Sequence, residues 1–310
     1  MRVLVTGGAG YIGSVLVPML LRDGHAVTVV DNLLYGQTSL LDVCHDPRLT
    51  IVRGDARDKS VMERAVHGQD VLIPLAALVG APLCAREPAA ACSINVGAVE
   101  LLLQLRTPEQ KVVYPNTNSG YGMGLGDREC TEESPLQPIS IYGRTKCQAE
   151  QLVLDAGNSV TFRLATVFGV SPRMRLDLLV NDFTYRAVSD GFVVLFEAHF
   201  KRNYIHVRDV ARAFLHTLAN FEAMRGEPYN VGLSDANLSK SELCERIQQQ
   251  VPGFYFTEAE VGEDPDKRNY IVSSAKVEAT GFLPQFSLDA GITELLKAYQ
   301  VVKRNQYANI

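Results

Sequence analysis

Through the first half of the chain, short runs that are apolar almost throughout alternate with longer stretches whose apolar residues recur every three or four positions. The spacing predicts strands over 2–6, 26–31, 49–55, 70–77, 111–116 and 159–165, and helices over 13–24, 59–68, 88–106 and 142–157. Strands that are apolar on both faces belong in a parallel sheet covered by helices on both sides. Right-handed crossovers then wind that sheet doubly, an α/β fold. After residue 165 the rhythm loosens. The stretch 202–221 reads as strand, turn and helix, 227–232 as a strand, 239–251 as a helix with Ser239 at its N-cap, and 287–306 as a closing amphipathic helix. The expected division is a sheet domain over 1–165, with 202–232 returning to it, and a smaller α/β lobe within 166–310.

Composition narrows the classes. A net charge of −5 over 310 residues argues against a surface that tracks nucleic-acid phosphates. No apolar run approaches the ~20 residues of a membrane span. "MRVLVTGG" runs from a strand straight into glycines without a small-residue cleavage site, so it does not read as a signal peptide. The six cysteines form no C-x-x-C and have no histidine at zinc spacing, so reduced thiols in a cytoplasmic protein and no metal site are expected.

"VTGGAGYIGS" places Gly7, Gly10 and Gly13 between the first strand and the first helix. Residues without Cβ let backbone approach a pyrophosphate, and the helix N-terminus adds N–H donors. Tyr11 and Ile12 lie within this turn. The second strand ends in Asp31 and Asn32, at the ~20-residue spacing at which a carboxylate meets ribose hydroxyls. A carboxylate there repels a 2′-phosphate, so the site reads as Rossmann-type and favours NAD over NADP, with Arg22 and Arg53 as the cations that would argue otherwise. Asp55 and Ala56 end the third strand where an adenine would rest. Asp55 also reads as the N-cap of the next helix.

"SIYGRTKCQAE" sets Tyr142 and Lys146 four apart, on one helical face. A phenol ordinarily titrates near 10. A nearby ammonium and a positive nicotinamide ring favour its phenolate, which then accepts a proton from a sugar hydroxyl. The same helix follows the strand and loop "YPNTNSGYG" (114–122), which holds two hydroxyls, two amides and no acid.

Taken with "VVDN", "GDARD", "LAA" (Leu75, Ala76, Ala77), "INVGAVELL" and "RNYIHVRDVARAF", these motifs resemble the extended short-chain dehydrogenase/reductase family, specifically its nucleotide-sugar epimerases and dehydratases, over nearly the whole chain. The resemblance implies an NAD-bound cytoplasmic enzyme that oxidises C4 of a nucleotide-diphosphate sugar, with a mainly substrate-binding C-terminal lobe. It also implies a homodimer through a four-helix bundle formed by helices near 88–106 and 140–156. Thr117, four residues before Tyr121, matches the family hydroxyl that bonds O4 beside Tyr142. Lys146 would also hold the nicotinamide ribose. Asn181 and Arg202 match diphosphate contacts, and Arg173 and Arg175 are further phosphate candidates. Pro74 stands where relatives often have His, and Asn203 where they often have an acid. Cys84 reads as a buried thiol.

In the family's 4,6-dehydratases an Asp–Glu pair follows the Thr and removes water across C5 and C6. Here Asn118 and Ser119 follow it, candidate substrate contacts of which Ser119 reads first as a turn residue. Neither can act as an acid or base near neutral pH. The expected activity is therefore NAD-dependent 4-epimerisation. Release of the keto sugar by a C4 dehydrogenase or reductase is the alternative, ahead of dehydration or a non-catalytic NAD-binding scaffold.

Overall fold

The computed structural model describes residues 1–261 and 268–302. β1 (Arg2–Thr6) leads through the glycine turn into α1 (Gly13–Arg22), and β2 (Ala26–Asp31), β3 (Leu49–Arg53), α2 (Lys59–Val66) and β4 (Val71–Pro74) follow. Next come α3 (Ala81–Arg86), the long helix α4 (Pro88–Leu105), β5 (Lys111–Thr117), α5 (Ile141–Asp155) and β6 (Ser159–Leu164). Apart from the edge strand β3, these short strands are rich in β-branched residues and mostly buried.

The sheet has seven strands in the order β10–β6–β5–β4–β1–β2–β3, all paired in parallel, where β10 is Pro228–Val231. The strand order reverses between β1 and β4, and in doubly wound sheets a ligand crevice opens at that point beyond the carboxyl ends. One face of the sheet packs on α1 and α7 (Val207–Ala219), the other on α2, α4 and α5.

The region after β6 was the least readable from periodicity. β7 (Thr166–Phe168), α6 (Leu179–Ser189), β8 (Phe192–Leu195), β11 (Asn237–Ser239) and β12 (Tyr255–Glu258) carried no clear signal. They are three to five residues long or flanked by loops that dilute their period. β9 (Lys201–His206) does not join the main sheet as expected. It sits between β7 and β11 in a three-stranded sheet, whereas β10 of the 202–232 segment joins the main sheet and α7 packs on its face. α8 (Lys240–Gln250) begins with a full capping box, Ser239 against Glu242, and α9 (Leu288–Ala298) ends earlier than its predicted limit of 306, of which 303–306 lie outside the described residues. The lobe shares one continuous core with the sheet, since Leu195, Leu243, Phe254 and Ile292 cluster with Val3, Val5 and Leu16.

Two details depart from the sequence reading. α4 contains a π turn at Ser93–Gly97, and its 18 residues have a mean hydropathy of 1.4, enough by length and composition alone to cross a membrane. A third of that stretch is buried. The N-cap of α2 is Asp58, whose carboxylate accepts from the N–H groups of Ser60 and Val61, and not Asp55.

Candidate active site

A cavity of about 520 Å³ opens at the switch point. Its cofactor end is built from backbone. Gly7 has φ +69°, and a Cβ there would lie 2.6 Å from the Ala76 nitrogen, so the turn after β1 and the loop after β4 touch main chain to main chain. A Cβ on Gly13 would lie 2.5 Å from the Gly8 carbonyl oxygen, whereas one on Gly10 would meet only the Gly7 oxygen at 3.1 Å. Gly10 thus keeps the approach to the helix open. No side chain caps α1; the Ser14 N–H donates to the Gly10 carbonyl at 2.9 Å and the Val15 and Leu16 N–H groups to the Ile12 carbonyl at 3.1 and 3.0 Å, so the helix runs straight out of the glycine turn with its positive end on the cavity. Tyr11 and Ile12 line the same wall. The Tyr11 hydroxyl is directed away to the Gly169 carbonyl at 2.7 Å, locking the glycine turn to the loop after β7.

Asp31, 8 % exposed, lines the cavity with Asn32. Its carboxylate accepts from the N–H groups of Ala9 at 2.9 Å and Leu33 at 2.8 Å, which orients it and leaves lone pairs for ribose hydroxyls. Arg22 and Arg53 are not among the lining residues. Asp55 and Ala56 line the far end, but Asp55 is clamped by Arg57 in a two-pronged ion pair of 2.6 and 2.9 Å, which holds its carboxyl below the usual range. Leu75, Ala76 and Ala77 form the wall from β4. A glycine cradle that a Cβ would fill, an uncapped helix N-terminus and an oriented carboxylate fit a dinucleotide.

Thr117, Tyr142 and Lys146 meet where β5 and α5 converge. Ser140 caps α5 through the Gly143 N–H at 3.0 Å. The loop of "YPNTNSGYG" lies flat on α5 because Gly120 has no side chain: a Cβ would sit 2.7 Å from Cys147 Sγ. Gly122, at φ +62°, turns the chain back beneath the Gln137 carbonyl. Thr117 Oγ1 donates to Ser119 Oγ at 2.9 Å and accepts from the Ser119 N–H at 3.1 Å, on the wall it shares with Tyr142. Burial pushes that phenol up from its ordinary value, while Arg175, Arg268 and Thr117 pull it down. Lys146 is pushed down to about 7 by burial, against the pull of Glu150, and its ammonium stands 4.1 Å from the centre of the Tyr114 ring. Glu150 in turn is buried, tied to Arg163 at 2.8 and 2.9 Å and to the Asn116 amide. Tyr142, Lys146 and Glu150 thus share one face of α5.

Two expected contacts, Asn181 and Asn118, stand apart from the cavity lining. Asn181 does not line the cavity: its amide accepts from the Gly169 N–H at 3.0 Å and donates to the Arg175 carbonyl at 2.8 Å and the Tyr11 hydroxyl at 3.3 Å. It holds three loops together. Asn118 is also buried away from the cavity, with neither side-chain polar atom bonded. β5 ends at Thr117 and the chain enters a single 3-10 turn over Asn118–Tyr121, which leaves Thr117 and Ser119 on the cavity side and Asn118 buried off it. Cys84 is buried, with its thiol on the Leu78 carbonyl, and burial pushes it up to about 11.

Of the cations opposite this rim, sequence reasoning named Arg173, Arg175 and Arg202 as phosphate contacts and missed Lys240 and Arg268. Arg173, Arg175, Arg202, Lys240 and Arg268 all line the cavity, with Asp177 alone among them in sign. Asp177 is paired to Arg175 at 2.6 Å. Lys240 and Arg268 lie in α8 and in the segment after residue 267, where no local pattern marked them.

This combination of a doubly wound sheet, a glycine cradle with an oriented acid, and a Tyr–Lys pair beside a hydroxyl defines a dinucleotide-dependent oxidoreductase-type site. The chain belongs to the NAD dependent epimerase/dehydratase family, whose sequence model matches residues 3–232. NAD is the cofactor of this family. The low-salt glycan biosynthesis protein Agl12 of Haloferax volcanii is 30 % identical over 96 % of this chain and 98 % of its own length. A dTDP-glucose 4,6-dehydratase of Streptomyces niveus is 27 % identical over 97 % and 93 %. Among solved structures, UDP-glucose 4-epimerase of Thermus thermophilus in complex with NAD superposes with a TM-score of 0.83 at 26 % identity, covering 98 % of this chain and 100 % of that one. The chain is therefore an enzyme of a family that contains both epimerases and dehydratases.

Proposed function

We propose that this enzyme oxidises C4 of a nucleotide-diphosphate sugar and re-reduces the keto sugar on its other face, a 4-epimerase, with Tyr142 as base and Thr117 holding O4. Bound NAD supplies the hydride acceptor and donor. Gly7, Gly10, Tyr11, Ile12 and Gly13 would face its pyrophosphate, Asp31 and Asn32 a ribose, Asp55 and Ala56 the adenine, and Leu75, Ala76, Ala77 and Lys146 the nicotinamide half. Arg202 would meet the substrate diphosphate.

The observation that carries the reading is the rim itself. Where a dehydratase needs two proton-transfer groups, Asn118 is turned away from the cavity and Ser119 is a neutral hydroxyl bonded to Thr117 at 2.9 Å. Among the described residues next to Thr117, Tyr142 is the group left to move a proton at the sugar.

A second reading, release of the 4-keto sugar by a C4 dehydrogenase, is favoured by one feature. Arg268 reaches across the sugar end to the Ser119 hydroxyl and narrows the space in which a keto sugar would turn over. The partly uncovered apolar helix α4 beside α5 supports a homodimer, which a monomer mass in light scattering would exclude.

Tyr142→Phe tests the base. With UDP-, GDP-, CDP-, ADP- and dTDP-sugars in turn, turnover should fall by roughly 100-fold or more while NAD stays bound. Undiminished turnover would remove Tyr142 from the role.

A further inference from the structure

The cofactor end of the cavity has two lips of different origin. One is the turn after β2, which is sewn to Asp31. The Leu33 N–H donates to a carboxylate oxygen of Asp31 at 2.8 Å. The Gln37 amide donates to the same oxygen at 3.3 Å and accepts from the Tyr35 N–H at 3.1 Å. The Gly36 N–H closes the turn on the Leu33 carbonyl at 2.9 Å. Leu33 is held at φ +55°, a left-handed conformation unfavourable for any residue with a bulky side chain. The turn thereby presents Tyr35, 43 % exposed, on the lip of the cavity it lines.

The other lip is the loop between β7 and α6, and it is bolted to the glycine turn. Besides the bond from Tyr11 to Gly169, the Ser171 hydroxyl donates to the Tyr11 carbonyl at 2.7 Å and meets the Ser14 hydroxyl at 2.8 Å. Ser171 Oγ also accepts from the Arg173 N–H at 3.3 Å, and the Arg173 guanidinium donates to the Met174 carbonyl. The Arg173 side chain is buried and lines the cavity, and its guanidinium carbon stands 4.5 Å from the centre of the Tyr35 ring. The two lips thus meet in a cation–π contact between a residue anchored on the glycine turn and one anchored on Asp31.

Resting on the reading that places NAD in the glycine cradle, we propose that Arg173 and Tyr35 form a strap across the cofactor. Arg173 supplies positive charge to its pyrophosphate, to which the glycine turn itself offers only backbone N–H donors. Arg175, on the same loop, is engaged by Asp177. Tyr35 holds the Arg173 guanidinium in place and moves aside for NAD to enter or leave. The strap assigns Arg173 to the cofactor and not to the substrate diphosphate. It also keeps NAD in place between removal and return of the hydride.

NAD release and uptake test the strap without turnover. Release is read by chasing radiolabelled NAD from the holoenzyme, and uptake by NADH fluorescence in stopped flow. In Tyr35→Ala both rates should rise by roughly 5-fold with little change in the dissociation constant, because the contact is lost from the closed strap with and without cofactor. Tyr35→Phe keeps the ring and should restore most of the delay. Arg173→Gln also removes the charge, so NAD affinity should fall by roughly 10-fold. Unchanged release in Tyr35→Ala overturns the strap, as does an Arg173→Gln variant that raises the nucleotide-sugar KM while NAD affinity holds. Near-normal NAD affinity in Gly7→Val defeats the cradle reading instead.

Discussion

The two ends of the cavity are made from different materials. At the cofactor end, main chain does the work: Gly7 against Ala76, the open turn of α1, and one acid oriented by backbone N–H groups. At the substrate end, long charged side chains converge from α5's neighbours, the loop before α6, β9, α8 and the segment after 267. The first end has little freedom to change, because each approach is limited by atoms that cannot rotate away. The second can be rebuilt residue by residue, which is how one family can hold epimerases and dehydratases on a common sheet.

That contrast can be broken most directly at Gly7. Gly7→Val adds a side chain at φ +69° and 2.6 Å from backbone, so NAD affinity should fall by roughly 100-fold or more in calorimetric titration. Near-normal affinity would mean that the cradle is softer than its geometry. A smaller and opposite pattern is expected at the other end. Arg202 is 3 % exposed, stands 5.6 Å from the Tyr270 ring centre and lines the cavity. Arg202→Gln should raise the nucleotide-sugar KM by about 10-fold, the scale of one charge-assisted hydrogen bond, while NAD affinity holds. A loss of NAD affinity in that variant would show the two ends to be coupled.

The same contrast explains what the sequence disclosed. The cofactor end was readable because its residues are close in the chain and each is tied to a strand end or helix start, where glycine, Asp31 and periodicity leave a mark. Tyr142 and Lys146 were readable because a helix fixes what four residues' separation means. Sequence spacing did not show that Asn118 turns inward or that Asn181 binds loops together, since both follow from which way a strand end and a helix face point. It gave no sign of Arg268, which meets Ser119 across 149 positions. Nor did it show that Asp58 takes the cap of α2 while Asp55 is held by Arg57. Each of these is a tertiary outcome between residue types that are common on any surface.

The central claim is that chemistry at this rim stops at moving hydride at C4. Nucleotide sugars bearing deuterium at C4 test it in one measurement, with the label located in the products by NMR. Epimerisation returns deuterium to C4 in an inverted sugar, and the dehydrogenase reading leaves an unlabelled 4-keto sugar. Deuterium at C6 of a 6-deoxy product would contradict the account, because it would mean that water is eliminated without the acid pair that Asn118 and Ser119 replace.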